Sequence, residues 1–325
     1  MPRADNMIAI ALCVVASAAM TTAGIAQQWP RQPVRIVVGF GPGATPDLMA
    51  RTVADHLSMR LGKPFVVENK AGAGGNVGVA DVARATPDGL TLGATIPGPL
   101  IVNPMISQLP YDPKTNIAPI TIIGTQPTVL VASAKLGVNT LPELITHLKQ
   151  NPGKYNYSSI GIGSISHIAM EMVALASGTQ IVHLPYESST EAVTAIISGD
   201  AQIAALPPIS VIEQARAGKL RMLAVTMPKR WSLLPDVPTF AEAGLPEVQA
   251  EAWVALIAPA RTPKPIVDKV HAEVKAILAT PEVQEQMKKL LFEPVGNSPD
   301  EFAAVLHDEE TRWSKVIDKA GLRKK

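Results

Sequence analysis

Cysteine, net charge and long apolar runs are all scarce in this sequence. The only cysteine is Cys13, so the rest of the chain can form neither a disulfide framework nor a cysteine metal site. Leu12, which precedes it, is too large for the small residue that a bacterial lipoprotein cleavage site requires. The formal net charge is +1, which gives no reason to expect nucleic acid or an anionic membrane as a partner.

No apolar run reaches the roughly 18 to 20 residues that a membrane span needs. The longest run, residues 7–20, follows Arg3 and leads through small residues to Ala26, which is the arrangement of a secretory signal. We therefore expect an exported, soluble protein whose signal peptide, residues 1–26, is cleaved near Ala26.

What is present is an alternation of short apolar segments with helical patterns of about 10 to 15 residues. This alternation is typical of a parallel sheet with helices on its faces. The predicted strands are 34–39, 64–67, 90–95, 118–124, 128–133, 154–159, 180–184, 201–206, 220–225 and 250–258, and two or three helices are predicted within 263–320. Roughly 299 residues remain after cleavage, which is near the size at which a single core splits, so two domains are expected.

Several predicted helices carry boundary residues. Thr45 is predicted to cap the first helix, with Pro46 at its first position and Gly62 at its end. Two other helices begin with a capping-box pattern, Thr140 with Glu143 and Ser298 with Glu301. The helix that begins at Thr45 starts directly after a glycine-rich loop.

A run of glycines between a predicted strand and a predicted helix raises the question of a nucleotide site. Its members are Gly72, Gly74, Gly75 and Gly78. A dinucleotide-binding turn needs G-x-G-x-x-G and an acidic residue about 20 positions further on. The spacing here differs, Asp88 falls in a turn, and a nicotinamide cofactor is hard to supply outside the cytoplasm, so we expect no cofactor.

Three strand-to-helix loops share the same chemistry. Residues 39–47, 72–78 and 158–167 are rich in glycine, serine or threonine and contain neither lysine nor arginine. Such loops can turn successive N–H groups toward an anion, and the helix that follows adds its positive end. They could converge on one carboxylate in a cleft between two sheets. The alternative is that each is simply a tight turn that needs positive φ.

These segments resemble the periplasmic substrate-binding receptors of tripartite tricarboxylate transporters, also called the Bug (Bordetella uptake gene) family. The match covers nearly the whole mature chain. The motifs that carry it are WPRQPVRIVVGFGPGATPDLMAR (29–51), VVENKAGAGGNVGVADVARATPDG (66–89), LPYDP (109–113), YNYSSIGIGSISHIA (155–169), HLPYESSTEAV (183–193) and LLPDVPTFAEAGLPEVQAEAWVALIAPARTP (233–263).

The resemblance implies an α/β fold with a two-domain periplasmic-binding-protein architecture, of the Venus-flytrap, type II-like kind. Each domain would be a mostly parallel sheet flanked by helices. Domain 1 would comprise residues 27–125 plus 254–325, and domain 2 residues 126–253.

The implied function is that of a periplasmic receptor, not an enzyme. It would capture a mono-, di- or tricarboxylate, an acidic amino acid or an aromatic carboxylate between the domains, often through ordered waters, and deliver it to a membrane transporter. A monomer is expected. The alternatives are a sensor that presents the bound carboxylate to a membrane kinase and, in another class, an exported hydrolase or a dinucleotide-binding enzyme.

Ligand-binding residues carried over from the family lie on all three loops. They are Phe40, Pro42, Gly43, Ala44 and Asp47; Ala73, Gly74, Gly75 and Asn76; and Ser158, Gly161, Gly163, Ser164, Ser166 and His167. The sequence departs from the family pattern twice: Ala44 stands where glycine is usual, and Glu187 and Ser188 replace a lysine and a glycine. If Glu187 points into the cleft, it would disfavour a second ligand carboxylate.

Several of these candidate residues can be interpreted either as structural or as functional. Asp47 either fixes its loop near a helix N-terminus or accepts from a ligand hydroxyl or ammonium. His167 is predicted to be a neutral hydrogen-bonding group rather than a metal ligand, and Asn76 a cap that shapes its loop. Ser164 and Ser166 near His167 suggest a hydrolase, but GSISH lacks the G-x-S-x-G elbow, so no catalytic residue is assigned.

Overall fold

The computed structural model describes residues 29–324, and the predicted signal peptide with Cys13 lies outside them. Within that range no helix is both long and apolar enough to cross a bilayer. Eleven strands are described: β1 (Val34–Val38), β2 (Phe65–Asn69), β3 (Thr91–Thr95), β4 (Ile117–Gln126), β5 (Val129–Ser133), β6 (Asn156–Ser159), β7 (Val182–Pro185), β8 (Ile203–Leu206), β9 (Leu220–Val225), β10 (Ala252–Pro259) and β11 (Glu293–Pro294).

The α-helices connect these strands and form the C-terminal end. They are α1 (Thr45–Leu61), α2 (Asn76–Arg84), α3 (Asn103–Ile106), α4 (Pro113–Asn116), α5 (Leu141–Gln150), α6 (Ile165–Ser177), α7 (Ser189–Ser198), α8 (Pro208–Arg216), α9 (Lys264–Leu278), α10 (Pro281–Lys289) and α11 (Pro299–Lys319). Short 3₁₀ turns cover Ala73–Gly75 and Ala134–Leu136, and a π-helical turn, Gly98–Val102, runs directly into α3. The sequence alternation of strands and helices is confirmed, whereas the short β11 was not predicted.

The strands form two sheets. Sheet A has the order β11-β4-β10-β3-β1-β2, and sheet B the order β7-β6-β8-β5-β9. In sheet A, β1 pairs in parallel with β2 and β3, and β10 is antiparallel to both of its neighbours. In sheet B, β6 pairs in parallel with β7 and β8, and β5 is antiparallel to β8 and β9. The sheets are therefore mixed rather than mostly parallel.

The chain crosses between the sheets twice, from β4 to β5 and from β9 to β10. β5 and β10, the strands that directly follow these crossings, each run antiparallel to both of their neighbours. The crossings are joined by hydrogen bonds: the Thr226 amide donates to the Thr128 carbonyl oxygen (3.1 Å), and the Thr226 hydroxyl donates to the Ala250 carbonyl oxygen (3.0 Å).

Apolar side chains alternate along the strands and cover both faces of each sheet. In β1, Val34, Ile36 and Val38 pack with α1 and α9, while Val37 points to the face that carries α2 and α11. In β5, Leu130 and Ala132 face α5 and α6, and the intervening residues face α7 and α8. One cluster includes residues of both sheets, so the core is continuous between them.

One charged residue is embedded in this core. Glu309 of α11 is buried, and its Oε2 accepts a hydrogen bond from Trp253 Nε1 (3.0 Å) on β10. Burial raises the pKa of Glu309 to about 8, although the Trp253 hydrogen bond acts in the opposite direction. The carboxyl is therefore mostly protonated at neutral pH.

The predicted helix boundaries hold with one correction. Gly62 ends α1 in the left-handed conformation, and Ser298 with Glu301 forms a complete capping box. Thr140 caps α5 by accepting from the Glu143 amide (3.3 Å). Thr45, however, is the first helical residue of α1, because Ala44 occupies the N-cap position and offers no side-chain acceptor. Asp47, in the first turn of α1, accepts from the amide of Gly43 just before the helix (2.9 Å), and no side chain among the described residues caps the first-turn amides.

Candidate functional site

Two of the three glycine-rich loops pack against each other, backbone to backbone. Loop 1 (residues 39–44) follows β1, and loop 2 (residues 70–75) follows its parallel neighbour β2. A Cβ on Gly39 would lie 2.4 Å from the Gly75 carbonyl oxygen, and a Cβ on Gly78 would lie 2.6 Å from Gly39 Cα. Any side chain at these positions would force the loops apart, which explains why glycine occurs there.

Loop 2 presents backbone N–H groups to solvent. Ala73 and Gly74 have φ values of 48° and 64°, and both are exposed. The amide of Gly75 donates to the Gly72 carbonyl oxygen, and that of Asn76 to the Ala73 carbonyl oxygen. The amides of Ala73 and Gly74 have no acceptor among residues 29–324. Successive N–H groups that are free in a turn can bind an anion, so these two are candidate donors for a ligand carboxylate.

Asp47 holds loop 1 in shape. Its Oδ2 accepts from the Gly43 amide (2.9 Å) and Arg51 Nε (3.0 Å), and its Oδ1 accepts from Asn69 Nδ2 (2.8 Å). Burial acts against ionisation, but the hydrogen bonds from Arg51, Gly43 and Asn69 together keep the pKa of Asp47 below its ordinary value of 3.8. Both oxygens are occupied within the protein, so the loop-fixing role is the one that the geometry supports.

Asn76 links loop 2 to a helix that the sequence did not single out. Gly75 is the N-cap of α2, and Asn76 is the C-cap of the 3₁₀ turn Ala73–Gly75, where its amide donates to the Ala73 carbonyl oxygen. The Asn76 Oδ1 accepts from Asn103 Nδ2 (2.9 Å) and lies 2.9 Å from the Tyr111 hydroxyl. Tyr111 belongs to the LPYDP motif, and its hydroxyl also lies 2.9 Å from the Pro99 carbonyl oxygen.

Loop 3 (residues 160–164) follows β6 in sheet B and opens α6. Ser164 caps α6 by accepting from the His167 amide (3.2 Å), and it donates to the Gly161 carbonyl oxygen (2.7 Å). Gly161 and Gly163 both have positive φ. His167 Nδ1 accepts from the Gly163 amide (3.1 Å), which requires the unprotonated nitrogen of a neutral imidazole.

Three stacked rings lie next to loop 3 and include the imidazole that is hydrogen-bonded to it. The rings of His167 and His183 are 4.0 Å apart between centroids, and those of His183 and Tyr157 are 4.7 Å apart. Burial, with a smaller contribution from His183, lowers the pKa of His167 to about 3. The pKa of His183 is also lowered by burial, and its Nε2 lies 2.6 Å from Ser159 Oγ. The prediction of a neutral, hydrogen-bonding His167 agrees with this geometry.

Loops 2 and 3 meet at Asn103. A Cβ on Gly74 would lie 3.7 Å from Asn103 Nδ2, and a Cβ on Gly163 would lie 3.8 Å from Asn103 Oδ1 and 2.6 Å from Ile106 Cδ1. Loop 3 of sheet B is therefore in contact with the 98–106 helical segment of sheet A. Asn103 lies on that segment, far in sequence from any glycine-rich motif, and no signal in a single sequence marks it.

Other predicted residues lie apart from this meeting point. The turn of loop 1 formed by Pro42, Gly43 and Ala44 is partly or fully exposed. Phe40 is half-buried, and its ring lies 2.8 Å from where a Cβ on Gly75 would be. The Ser158 hydroxyl donates to the Ala192 carbonyl oxygen (2.9 Å), so it is directed at α7 and not at a ligand, contrary to prediction.

Ser166 is the exception among the polar side chains. It is 0% exposed, and its Oγ has no hydrogen-bond partner in the part of the chain that the structure describes. It lies in the first turn of α6, where backbone N–H groups also lack helical partners.

Glu187 and Ser188, which depart from the family pattern, have a local role. Glu187 is exposed, and its amide donates to Glu191 Oε2 (3.1 Å). Ser188 caps α7 by accepting from the Glu191 amide (3.2 Å). The side chain of Glu187 is therefore not enclosed in the site.

The arrangement lacks catalytic geometry. The hydroxyl of Ser164 donates to the Gly161 carbonyl oxygen and that of Ser166 has no partner among the described residues, so neither is hydrogen-bonded to the His167 imidazole. In the Ser159–His183 pair, Ser159 is buried and His183 is half-buried, and Ser159 Oγ also accepts from the Gly161 amide (3.2 Å). No cluster of three metal-binding side chains occurs among the described residues. Lys70, the one lysine in the loops, pairs with Asp81 (2.8 Å) and Glu68 (3.4 Å).

The fold has two mixed β-sheets with helices on their faces, and the chain crosses twice between them. Loops at the strand ends of the two sheets are in contact. This arrangement is that of the periplasmic solute-binding class. The periplasmic binding protein BugD is 33% identical, with a TM-score of 0.72 over 91% of this chain and 100% of BugD. An R. palustris protein solved with adipate is 32% identical, with a TM-score of 0.77 over 90% of this chain and 98% of that one. MatC from Rhodopseudomonas palustris, solved with bound malate, is 28% identical, with a TM-score of 0.73 over 89% of this chain and 100% of MatC.

Sequence comparison identifies the family. The model of the tripartite tricarboxylate transporter family receptor matches residues 49–322. Protein BugT of Bordetella pertussis is 33% identical over 324 residues, which cover 98% of this chain and 99% of BugT. The chain belongs to this family, as the resemblance implied. It is a solute-binding receptor and not an enzyme, and the periplasmic-binding-protein architecture is confirmed.

Proposed function

We propose that this receptor binds a small carboxylate between its two sheets, with the carboxylate on the free amides of Ala73 and Gly74. The observation that carries the proposal is the pair of adjacent, exposed N–H groups in left-handed backbone beside Asn103. Adipate and malate in the R. palustris relatives support the same ligand chemistry. Ordered waters can bridge the ligand and these donors at little cost.

The proposed mechanism is closure about the paired crossings. Domain 1 would comprise residues 27–125 plus 254–325 and domain 2 residues 126–253, with Thr128 and Thr226 at the hinge. The ligand binds loops 1 and 2 first, and loop 3 then completes the site. The ligand favours closure only to the extent that it binds the closed state more tightly than the open state.

The proposed cellular context is the periplasm. The signal peptide, residues 1–26, is cleaved near Ala26, and the mature monomer delivers its ligand to the membrane subunits of a tripartite tricarboxylate-type transporter. Periplasmic receptors among the relatives support this location. No observation favours the alternative of a sensor that acts on a kinase.

A thermal-shift screen of residues 27–325 tests the proposal. C3 to C6 carboxylates, acidic amino acids and aromatic carboxylates are compared with nicotinamide nucleotides as a control. A ligand that binds only the folded state raises the melting temperature with concentration. A shift with carboxylates is expected, and a shift with nucleotides alone would refute the proposal.

Gly74→Val tests the role of the loop 2 amides. A β-branched side chain at φ 64° is strained and shields the N–H groups, so binding should be lost while the fold remains. Gly153→Val is the matched control, because Gly153 has a φ of 70° and open space around a Cβ, but lies in a turn remote from the three loops. The control should show a similar loss of stability with unchanged affinity.

A further inference from the structure

Two isoleucines at the sheet B side of the site are exposed. Ile162 of loop 3 is 65% exposed, and Ile209 at the start of α8 is 66% exposed. Burying an isoleucine side chain is favourable, so two exposed isoleucines on neighbouring loops offer an apolar surface that a ligand can cover.

The two isoleucines lie at the same edge of sheet B. Ile162 follows β6 and Ile209 follows β8, and these strands are parallel neighbours with Ser158 opposite Ala204. Their following loops are therefore adjacent. Ile162 also directly precedes Gly163, the residue that contacts the 98–106 segment of sheet A. This edge faces the loops that carry the free amides.

The polar side chains nearby are largely committed to internal hydrogen bonds. Asn76 is held by Asn103, Ser164 by the Gly161 carbonyl oxygen, and Ser159 by His183. The half-buried ring of Phe40 adds an apolar surface beside Gly75 on the sheet A side. Apart from the loop 2 amides, the exposed groups that these residues offer to a ligand are therefore largely apolar.

Cations that could hold a second carboxylate are far away or already paired. Lys70 is engaged by Asp81 and Glu68. Lys229 is exposed, but it follows β9, which is separated from β8 by β5. Glu187, the charged residue in the loop after β7, carries the wrong sign for a carboxylate.

We propose that the ligand is a monocarboxylate with an apolar alkyl or aryl body, whose carboxylate binds loop 2 and whose body contacts Ile162 and Ile209. The inference rests on the proposed function and narrows its ligand class. It separates this receptor from relatives solved with the dicarboxylates adipate and malate.

Hexanoate and adipate provide a matched pair for the test, because they differ only by a methyl group in place of the second carboxylate. Dissociation constants are measured by calorimetry on the mature protein for both ligands, for the straight-chain series from butanoate to octanoate, and for benzoate against terephthalate. Hexanoate should bind at least about tenfold more tightly than adipate. Affinity should rise by up to roughly fourfold per methylene until the apolar surface is covered.

Each outcome decides between the two proposals. Equal binding or a preference for adipate would overturn the apolar-body inference and leave carboxylate binding intact. Absence of binding for every member of both series, with no carboxylate active in the thermal-shift screen, would overturn both.

Substitutions of Ile162 and Ile209 test whether these residues cause the preference for hexanoate over adipate. Ile162→Ser and Ile209→Ser should each weaken hexanoate binding several-fold, and Ile162→Arg should reverse the preference toward adipate by supplying a cation. Met59→Ser is the control, because Met59 is 71% exposed near the far end of α1. Unchanged hexanoate affinity in both serine variants would refute the role of these residues even if hexanoate binds.

Discussion

Asp47 shows how one buried side chain can set the form of a binding loop. It is 1% exposed and is held by Gly43, Arg51 and Asn69, which belong to loop 1, α1 and β2. A carboxylate surrounded by donors from three elements fixes their relative positions. The conformation of loop 1 is therefore determined by the protein's own contacts, before any proposed ligand binds.

Asp47→Asn should destabilise the protein by roughly 1.5 to 3 kcal/mol and weaken ligand binding, because Arg51 loses its charged partner. The folded-state pKa of Asp47 lies below 3.8, so its contribution to stability is present above about pH 4 and is lost as the pH falls through the lowered value. Urea unfolding at pH 7 and pH 2.5 measures this difference.

The control for that comparison is Asp55→Asn, an exposed position on the same helix. It should change stability by less than about 0.5 kcal/mol. A loss at Asp47 that is equally large at both pH values would show that its charge is not the cause.

Glu309→Gln should remove part of the pH dependence of stability. The folded-state pKa of about 8 lies above the ordinary 4.5, so the unfolded chain releases its proton first and wild-type stability falls as the pH rises through this window. The slope contributed by this group is at most about 1.4 kcal/mol per pH unit. Glutamine can still accept from Trp253.

Unfolding free energies at pH 5 and pH 8.5 test this prediction. The difference between the variant and the wild type should favour the variant at the higher pH. Glu282→Gln, on an exposed position of α10, serves as the reference, and parallel pH profiles for Glu309→Gln and the wild type would contradict the buried-carboxyl account.

At the scale of elements, α6 with β6 and β7 forms the support of loop 3. The ring stack of Tyr157, His183 and His167 takes one residue from each of these elements. It positions the imidazole that accepts from the Gly163 amide. The stack therefore sets the direction of one N–H group at the mouth of the site.

His167→Ala should weaken ligand binding about fivefold, since one hydrogen bond that orders loop 3 is worth about 1 kcal/mol. His167→Asn places an acceptor near the former Nδ1 and should recover most of the affinity. His307→Ala, exposed on α11, should bind like the wild type. Complete loss of binding in the alanine variant would mean that His167 contacts the ligand itself.

The sequence predicted elements better than it predicted contacts. The ten longer strands follow from apolar segments bounded by turn residues, whereas the two-residue β11 has no periodicity to detect. Thr45 was misplaced by one position because the N-cap position is occupied by Ala44, whose side chain has no acceptor that a capping pattern could reveal. Asn103 and the His183 partner of the ring stack were missed, because their roles arise only when strands and helices are brought together.

At the scale of the whole molecule, the paired crossings connect two sheets whose loops meet through Asn103. Hydrogen bonds between Thr128 and Thr226 keep the crossings side by side. The proposed site derives its attraction for an anion from backbone amides and helix ends, because Lys70 is paired and the loops contain no other lysine or arginine.

Affinity should therefore depend weakly on ionic strength. Between 20 mM and 500 mM sodium chloride, the dissociation constant of the preferred carboxylate should rise by less than about threefold, because full charges separated by solvent are the ones that salt screens strongly. Calorimetric titrations at four salt concentrations give the slope. Ile162→Arg should show a steeper dependence with adipate, and a steep slope in the wild type would indicate a side-chain cation in the site.

The position of β10 between β3 and β4 has a consequence for biosynthesis. Until residues 252–259 have been synthesised, β3 and β4 each present an unpaired edge, although every strand of sheet B is already available. The N-terminal half of sheet A must therefore wait for the last quarter of the chain. The sheet therefore completes its hydrogen-bond pairing only near the end of synthesis, and its strand edges stay open to other pairing until then.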